Sequence, residues 1–582
     1  MSEEEPPTGP LLTDHLAHWA AVTPHNRAFT FVDFPESDSL GRHRSLTWRA
    51  LDLRARAVAE ALVRTVTPGE RAALVLPQGL DYVAAFLGCL YAGVTAVPLF
   101  TPDLPGHEGR LAAVLADCEP ACLLTDTATA DRVLAFTTEH HLPETALLTV
   151  DGLTAPALAG AEPPRRPGPE DTAYLQYTSG STRTPAGVMI THANVVANAR
   201  QGMAGLEVED AATTAVGWLP LFHDMGLILS VAAPVVGGLG SVLMDPVNFL
   251  LAPERWLRLL GSAPRVVTAA PNFAYDYCVS RIGTDTVEEL DLSGVSVMLN
   301  GSEPVRPATL DRFRDHFAPA GLAPEALCPG YGLAEATVFV AADSPSALAT
   351  GVDCDSDALA EGRVTPAADP ARATRLMLCG APSGQLVRIV EPDSGAVLGE
   401  DAVGEIQVRG PNVGAGYWKK AALSAEVFGT RAAGETDDGP GWLRTGDLGA
   451  LHGGALLVTG RLKDLIIVDG RNHYPQDIEE TVQQAVTAIR PDRLAAISVP
   501  GPGEAADLLV VVAEHRHRQV ADAEEARSAA RAAVARRHGL RLDELLLVAP
   551  GSVPRTSSGK ISRAATRSRL LTGGFDTVGR AR

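Results

Sequence analysis

The chain is short of positive charge. Over 582 residues it carries 49 Lys and Arg against 70 Asp and Glu, a formal net charge of −21. Phosphate backbones and anionic bilayers select basic surfaces, which argues against a nucleic-acid or general membrane-surface binder. An anionic substrate must instead meet a local positive site. Cysteine is scarce too. Seven residues are scattered without paired spacing, and the nearest two, Cys118 and Cys122, have no His or Cys after them at a zinc-like interval. Buried free thiols in a reducing cytoplasm are the expectation. MSEEEPPTGP is acidic and polar, so it is not expected to act as a secretory signal. Nor is there an unbroken apolar run of membrane length. Tyr82–Phe100 and Met225–Met244 are uncharged, but each contains internal Gly and a Pro, Pro98 or Pro234. Each is expected to be a buried helix followed by a buried strand, with no stable membrane insertion. No internal repeat is visible.

What is present is ordinary globular material, 46% hydrophobic and 20% charged. The length is too great for one core, so several domains are expected. Short β-branched runs, such as Ala72–Leu76, Ala121–Leu124, Val266–Ala269 and Val295–Leu299, alternate with helical patterns such as Arg255–Leu260 and Pro307–Phe317. That alternation predicts α/β layers with largely parallel sheets. Three stretches look like linkers: Ala161–Glu170, Ala341–Arg372 and Gly434–Gly441. The last part of the chain looks like a separate small α/β unit. It offers a strand at Leu465–Val468, a helix from Pro475, strands at Leu494–Val499, Leu508–Ala513 and Glu544–Val548, and a charged helix over Ala521–Arg537.

The most suggestive segment is YTSGSTRTPAGVMITHAN, Tyr177–Asn194. A strand over Thr172–Tyr177 enters the loop Thr178–Thr182, and Val188–Thr191 returns. Glycine lets backbone amides approach an anion, and hydroxyls add donors. The segment lacks the GK[ST] ending of the common nucleotide loop, and a Ser/Thr-rich hairpin would look similar. Other segments add to it: NGSEPV at Asn300–Val305, YGLAEATVF at Tyr331–Phe339, WLRTGDLG at Trp442–Gly449 with Asp447 in a turn, GRLKDLIIVDG at Gly460–Gly470, and PRTSSGKISR at Pro554–Arg563.

In this order the segments resemble the adenylate-forming superfamily of acyl-CoA synthetases, luciferases and peptide-synthetase adenylation domains. The resemblance spans about Leu11 to Leu571. Within that superfamily the chain is most similar to fatty acyl-AMP ligases. Its loop reads STRTPAG, with Ala186 where CoA-forming relatives usually carry lysine. WLPLFHDMGL (Trp218–Leu227) and GRNHYPQDIE (Gly470–Glu479) are also of that subgroup's kind, and so is the long stretch between Glu335 and Cys379. The resemblance implies an α/β fold with a large N-terminal domain of layered subdomains (1–460, insertion about 341–372). A hinge (461–465) and a small mobile C-terminal α/β domain (466–582) complete it.

The same resemblance implies roles. Thr178, Ser179, Gly180, Ser181 and Thr182 hold the β- and γ-phosphates of ATP. Glu335, with Thr178, holds Mg²⁺. Tyr331 faces adenine, lined by Ser302, Gly332 and Ala334. Asp447 accepts the ribose hydroxyls, and Arg461 fixes the ribose or nearby phosphate. Lys560 bridges carboxylate and α-phosphate, offsetting the repulsion of two anions. Lys463 marks the hinge, or is merely a solvated lysine. Phe222, His223 and Gly226 belong to the acyl site, with His223 structural or gating. Met225–Val236 either lines an acyl tunnel or is ordinary core. The implied partners are a fatty acid and a separate acyl carrier protein, or a carrier domain of a polyketide or peptide synthase. No Ser in a Gly/Asp-Ser context with helical flanks follows residue 571. An acyl-CoA ligase of the same fold, a ligase for an aryl or decorated acid, and a non-catalytic acyl-adenylate binder remain as alternatives.

Overall fold

The computed structural model describes residues 11–575 except 37–39, 105–106, 154–165, 178–184, 209–211, 432–434, 436–438, 469–470, 502–506, 517–522 and 557–559. The Thr178–Thr182 loop and parts of the Ala161–Glu170 and Gly434–Gly441 linkers therefore lie outside the described residues.

Both apolar runs fold as a helix and then a strand. Leu80–Ala92 is followed by the strand Thr95–Pro98, and the helical stretch from Asp224 to Gly237 by the strand Gly240–Met244. The second stretch contains a π-helical turn at Ile228–Ala232. Among the described residues no helix is long and apolar enough to cross a membrane.

These strands join two large sheets. The first has six strands: Ala146–Thr149, Cys122–Thr125, Arg71–Leu74, Thr95–Pro98, Thr172–Tyr177 and Gly187–Thr191, with only the last pair antiparallel. The second has eight strands, parallel in its interior and antiparallel at both edges. Its central strands, including Val266–Pro271 and Val295–Gly301, are almost wholly buried and read as continuous apolar runs, as parallel strands covered on both faces must. A four-stranded antiparallel sheet follows: Leu386–Val390, Gly404–Arg409, Leu443–His452 and Ala455–Arg461.

The chain end from Ile466 has its own cores. Ile489–Val499, Leu508–His515 and Glu544–Val548 form a three-stranded sheet. Leu509, Val511 and Ala513 pack with Ile478, Val482 and Val534 of the helices Pro475–Ala485 and Ala523–His538. The alternate residues Val510 and Val512 pack on the opposite face with Val499, Leu546 and Val553. The period of two along one strand thus supplies two cores.

Ala341–Arg372 is not a bare linker. Gly351–Asp355 pairs antiparallel with Ala373–Met377, and Asp355 caps the helix Ser356–Ala360 by accepting from the N–H groups of Asp357 (3.1 Å) and Ala358 (2.9 Å). Side-chain capping makes this element, and apolar periodicity does not reveal it. The segment touches the C-terminal unit. Arg471 pairs with Asp357 at 3.7 Å and Glu361 at 3.4 Å, and Arg537 donates to the carbonyls of Ala371 and Ala373.

Candidate active site

Three of the expected residues meet through one cross-strand pair. Asp447 stands opposite Arg461 in the antiparallel register, with Arg461 Nε 3.0 Å from its Oδ1. Tyr331 Oη donates to its Oδ2 at 2.8 Å from the end of the strand Leu327–Gly332. Asp447 is therefore not in a turn, as the sequence suggested, but inside a strand. The ladder shifts between Leu448 and Gly449, and this irregularity hides the period of two that would have marked a strand. A carboxylate offers about four acceptor positions, so both oxygens can each take one more hydrogen bond.

Glu335 lies in the short 3₁₀ turn Ala334–Ala336, with Ala334 buried behind it. Tyr417 Oη donates to Glu335 Oε1 at 2.8 Å. Burial pushes this carboxyl up, while the Tyr417 hydrogen bond and the more distant Arg461 oppose it. The turn is sharply folded. Thr337 has φ 68° and ψ −60°, closed by a Val338 N–H to Ala336 carbonyl bond of 2.8 Å. Such a γ-turn is strained in an L-residue. It is braced by Thr337 Oγ1 donating to the Asn412 carbonyl (2.7 Å) and Asn412 Nδ2 donating to the Ala336 carbonyl (3.1 Å). Gly332 is required by packing alone, because a Cβ there would stand 1.7 Å from the Val338 carbonyl oxygen.

Lys560, on the C-terminal unit, lies within electrostatic reach of this site. Its N–H donates to Thr556 Oγ1 at 3.2 Å, and its carbonyl accepts from the Thr556 N–H at 2.8 Å. Three residues on, Arg563 is bidentate to Glu479 at 2.7 Å and reaches Asp464 at 3.2 Å. The Lys560 side chain is half-buried. Burial pushes its ammonium down, and Glu303, Asp224 and Asp447 act the other way. Lys560, Asp224, Glu303, Asp447 and Arg461 thus share one electrostatic neighbourhood.

Around it, Ser302 has φ 69°, and its Oγ donates to Met225 Sδ at 3.6 Å. His223 Nδ1 is 2.5 Å from Asp224 Oδ1. Burial raises the Asp224 carboxyl, but His223 and Lys560 outweigh it and hold it below its usual range. Phe222 packs its ring on Phe100, and its carbonyl accepts from Gln176 Nε2 at 3.0 Å, just before the Thr178–Thr182 loop. Gly226 lies against Pro220, where a Cβ would meet the carbonyl oxygen at 2.2 Å. Lys463 is exposed on the turn Leu462–Asp464.

A narrow apolar cleft opens beside the strand Val295–Gly301, which leads into Ser302. Its lining includes Met203, Leu206, Leu229, Ser230, Ala233 and Leu299. Phe222, His223 and Gly226 do not line it. The π-turn does, and such turns recur at functional sites. Tyr417, Asn412 and Glu303 were missed in the sequence. Only Glu303 carried a signal, as the charged residue of NGSEPV; Tyr417 and Asn412 act on partners far away in the chain.

A model of the AMP-binding enzyme family matches residues 16–418, and one described as Disco-interacting protein 2-like, AMP domain, matches 463–578. The chain is 43% identical over 591 residues to long-chain-fatty-acid–AMP ligase FadD26 of Mycobacterium marinum, covering 98% of this chain and 99% of the relative. It is 41% identical over 605 residues to long-chain-fatty-acid–AMP ligase FadD32 of Mycolicibacterium smegmatis, covering 97% and 95%. A solved structure from work on fatty acyl-adenylate ligases of E. coli and L. pneumophila superposes with TM-score 0.86 at 32% identity, over 97% of this chain and 98% of that one. A fatty acyl-adenylate ligase from L. pneumophila, solved with acyl adenylate and pyrophosphate, gives 0.72 at 32% identity, over 97% and 96%.

Proposed function

The chain belongs to the AMP-binding enzymes, among the fatty-acid–AMP ligases, and from that premise we propose a division of labour for it. It activates a fatty acid with ATP to acyl-AMP, releasing pyrophosphate. It then passes the acyl group to the phosphopantetheine thiol of a separate acyl carrier protein or synthase domain. The observation that carries this reading is the cluster of Asp447, Arg461 and Tyr331, with Lys560 of the C-terminal unit within its electrostatic reach.

Asp447 takes the ribose hydroxyls on its two free acceptor positions, and Arg461 and Tyr331 hold that carboxylate in place. Tyr331, Ser302 and Ala334 line the adenine. Thr178–Thr182 takes the β- and γ-phosphates. Glu335, with Thr178, would hold Mg²⁺. A single carboxylate plus substrate phosphates is the donor set this ion usually takes, and a cation would ease the buried charge on Glu335. When bound, the ion neutralises phosphate charge. The apolar lining of the cleft beside the π-turn suits an acyl chain. The attacking carboxylate is already ionised at neutral pH, so no general base is needed, and His223 acts through its bond to Asp224. The carboxylate oxygen forms a bond to the α-phosphorus as the bond to pyrophosphate breaks, with the Lys560 ammonium between the two anions.

We assign residues 1–460 and 466–582 to the two domains, with the hinge at 461–465. The contacts of Arg471 and Arg537 with the 351–377 segment support a restraint on the small domain that disfavours CoA. Seven buried free cysteines support a cytoplasmic location. The test is a panel of carboxylic acids scored for pyrophosphate release, with acyl-AMP confirmed by mass. Acids of long aliphatic chain are expected to score highest. No release with any acid refutes the reading, and acyl-CoA formation as fast as acyl-carrier formation moves it to a CoA ligase. For the hinge, Lys463→Pro is expected to slow acyl transfer to carrier by about tenfold, since hinge changes set such steps. Pyrophosphate release should stay within about twofold, and equal loss of both steps counts against a hinge there.

A further inference from the structure

The loop from Ser302 to Arg306 joins the strand Val295–Gly301 to the helix Pro307–Phe317, and it is fastened at several points. Asn272, the first residue of the helix Asn272–Arg281, accepts on Oδ1 from Asn300 Nδ2 and from the Arg306 backbone N–H, both at 3.1 Å. The Phe273 N–H donates to Glu303 Oε1 at 2.6 Å. Glu303 therefore sits over that helix's first turn, where the helix dipole favours negative charge.

Two charged side chains project from this fixed loop toward the C-terminal unit. Glu303 attracts the Lys560 ammonium. Arg306 Nη1 is ion-paired with Asp492 Oδ1. Asp492 stands in an irregular part of the strand Ile489–Val499, whose register against Leu508–His515 shifts between Ile489 and Leu494. Its φ of 54° is left-handed, and its N–H donates to Gln483 Oε1 at 2.7 Å. Bulges re-aim side chains, and this one turns Asp492 out of the ladder and onto Arg306. Both side chains of the pair stay partly exposed, at 32% and 27%, so neither fills a core.

We propose that Arg306 and Asp492 are positioning residues for adenylation: their ion pair seats the C-terminal unit so that Lys560 enters the site beside Glu303. The loop that carries Ser302 then lines the nucleotide and receives the closing unit at once. This rests on the adenylating role of Lys560 and adds to it two residues that touch neither substrate.

The test is a charge swap. Arg306→Asp and Asp492→Arg are each expected to slow acid-dependent pyrophosphate release by about tenfold or more, because each sets like charges face to face. The double swap is expected to recover most of the rate. Transfer from supplied acyl-AMP to the phosphopantetheine thiol should change by less than about twofold in all three, since on this proposal the pair serves adenylation alone. Asp492→Asn, with folding checked by Tm, gives a milder loss of the same kind should a reversal fail to fold. Singles that release pyrophosphate at the wild-type rate, a double swap no better than its worse parent, or equal loss of transfer each overturn the proposal. A readout independent of activity is trypsin cleavage after Arg461 or Lys463, both exposed. The singles should be cut faster and the double swap at the wild-type rate. Should the wild type adenylate no acid, the functional reading fails, and the tryptic rates alone decide the seat, with equal cutting of all four chains overturning it.

Discussion

Lys560→Ala is expected to leave the fold intact and to cut acid-dependent pyrophosphate release by about 10²–10³-fold, the usual cost of losing one preorganised donor. The fold should survive because the hydrogen bonds of this residue with Thr556 come from its backbone. A pH profile sharpens the test. Burial displaces the Lys560 ammonium below the ordinary lysine range. The step needs the charged form, so the alkaline limb of kcat/KM, which reports the free enzyme, should lie at lower pH than for a free lysine. Bound ATP adds negative charge and favours the ammonium, so the limb of kcat should lie higher. Lys560→Arg should move the limb out of range, because guanidinium stays charged. Near-wild-type release by the alanine variant would sink the assignment.

Asp447→Asn is expected to lower kcat/KM for ATP by about 10–100-fold, as hydrogen bonds to a charged acceptor are each worth about 1.5–3 kcal/mol. The loss stays at that level because the Arg461 side chain is 66% exposed and its pair with Asp447 is screened by solvent. The amide keeps the shape but gives one of the two positions a donor, so Tyr331 or Arg461 and one ribose hydroxyl lose an acceptor. KM for the fatty acid should hardly move. A variant that loses acid affinity while keeping ATP affinity would place Asp447 elsewhere in the mechanism.

Much of this was readable in the chain, and the rest has physical reasons for being hidden. Pro307–Phe317 and Glu544–Val548 match the expected helix and strand, because each has a clean local period. Both long apolar runs resolved as helix then strand because their glycines and prolines mark the breaks. Asp447 was misread because a register shift disturbs its strand, and the 351–377 segment because an Asp cap and a two-stranded ladder carry it. The fatty-acid–AMP ligase family was legible from motifs spread along the chain. The partners of those motifs were not. Tyr417 on Glu335 and Asp492 on Arg306 join residues 82 and 186 apart, and no local pattern encodes which distant residue will arrive. The cleft takes Leu229, Ser230, Ala233 and Pro234 from the expected Met225–Val236 stretch and the rest of its walls from helix and strands distant in the chain.

One brace gains meaning once a hinge at Lys463 is taken seriously. Arg563 grips Glu479 on one side and Asp464, in the turn that follows Arg461, on the other. The segment bearing Lys560 is thus a lever tip lashed to its own fulcrum. It cannot lag behind when the lever turns. On the proposed hinge, withdrawal of the ammonium and clearance of the space it occupied would be a single stroke, leaving a swung molecule without the cation that adenylation needs in either direction.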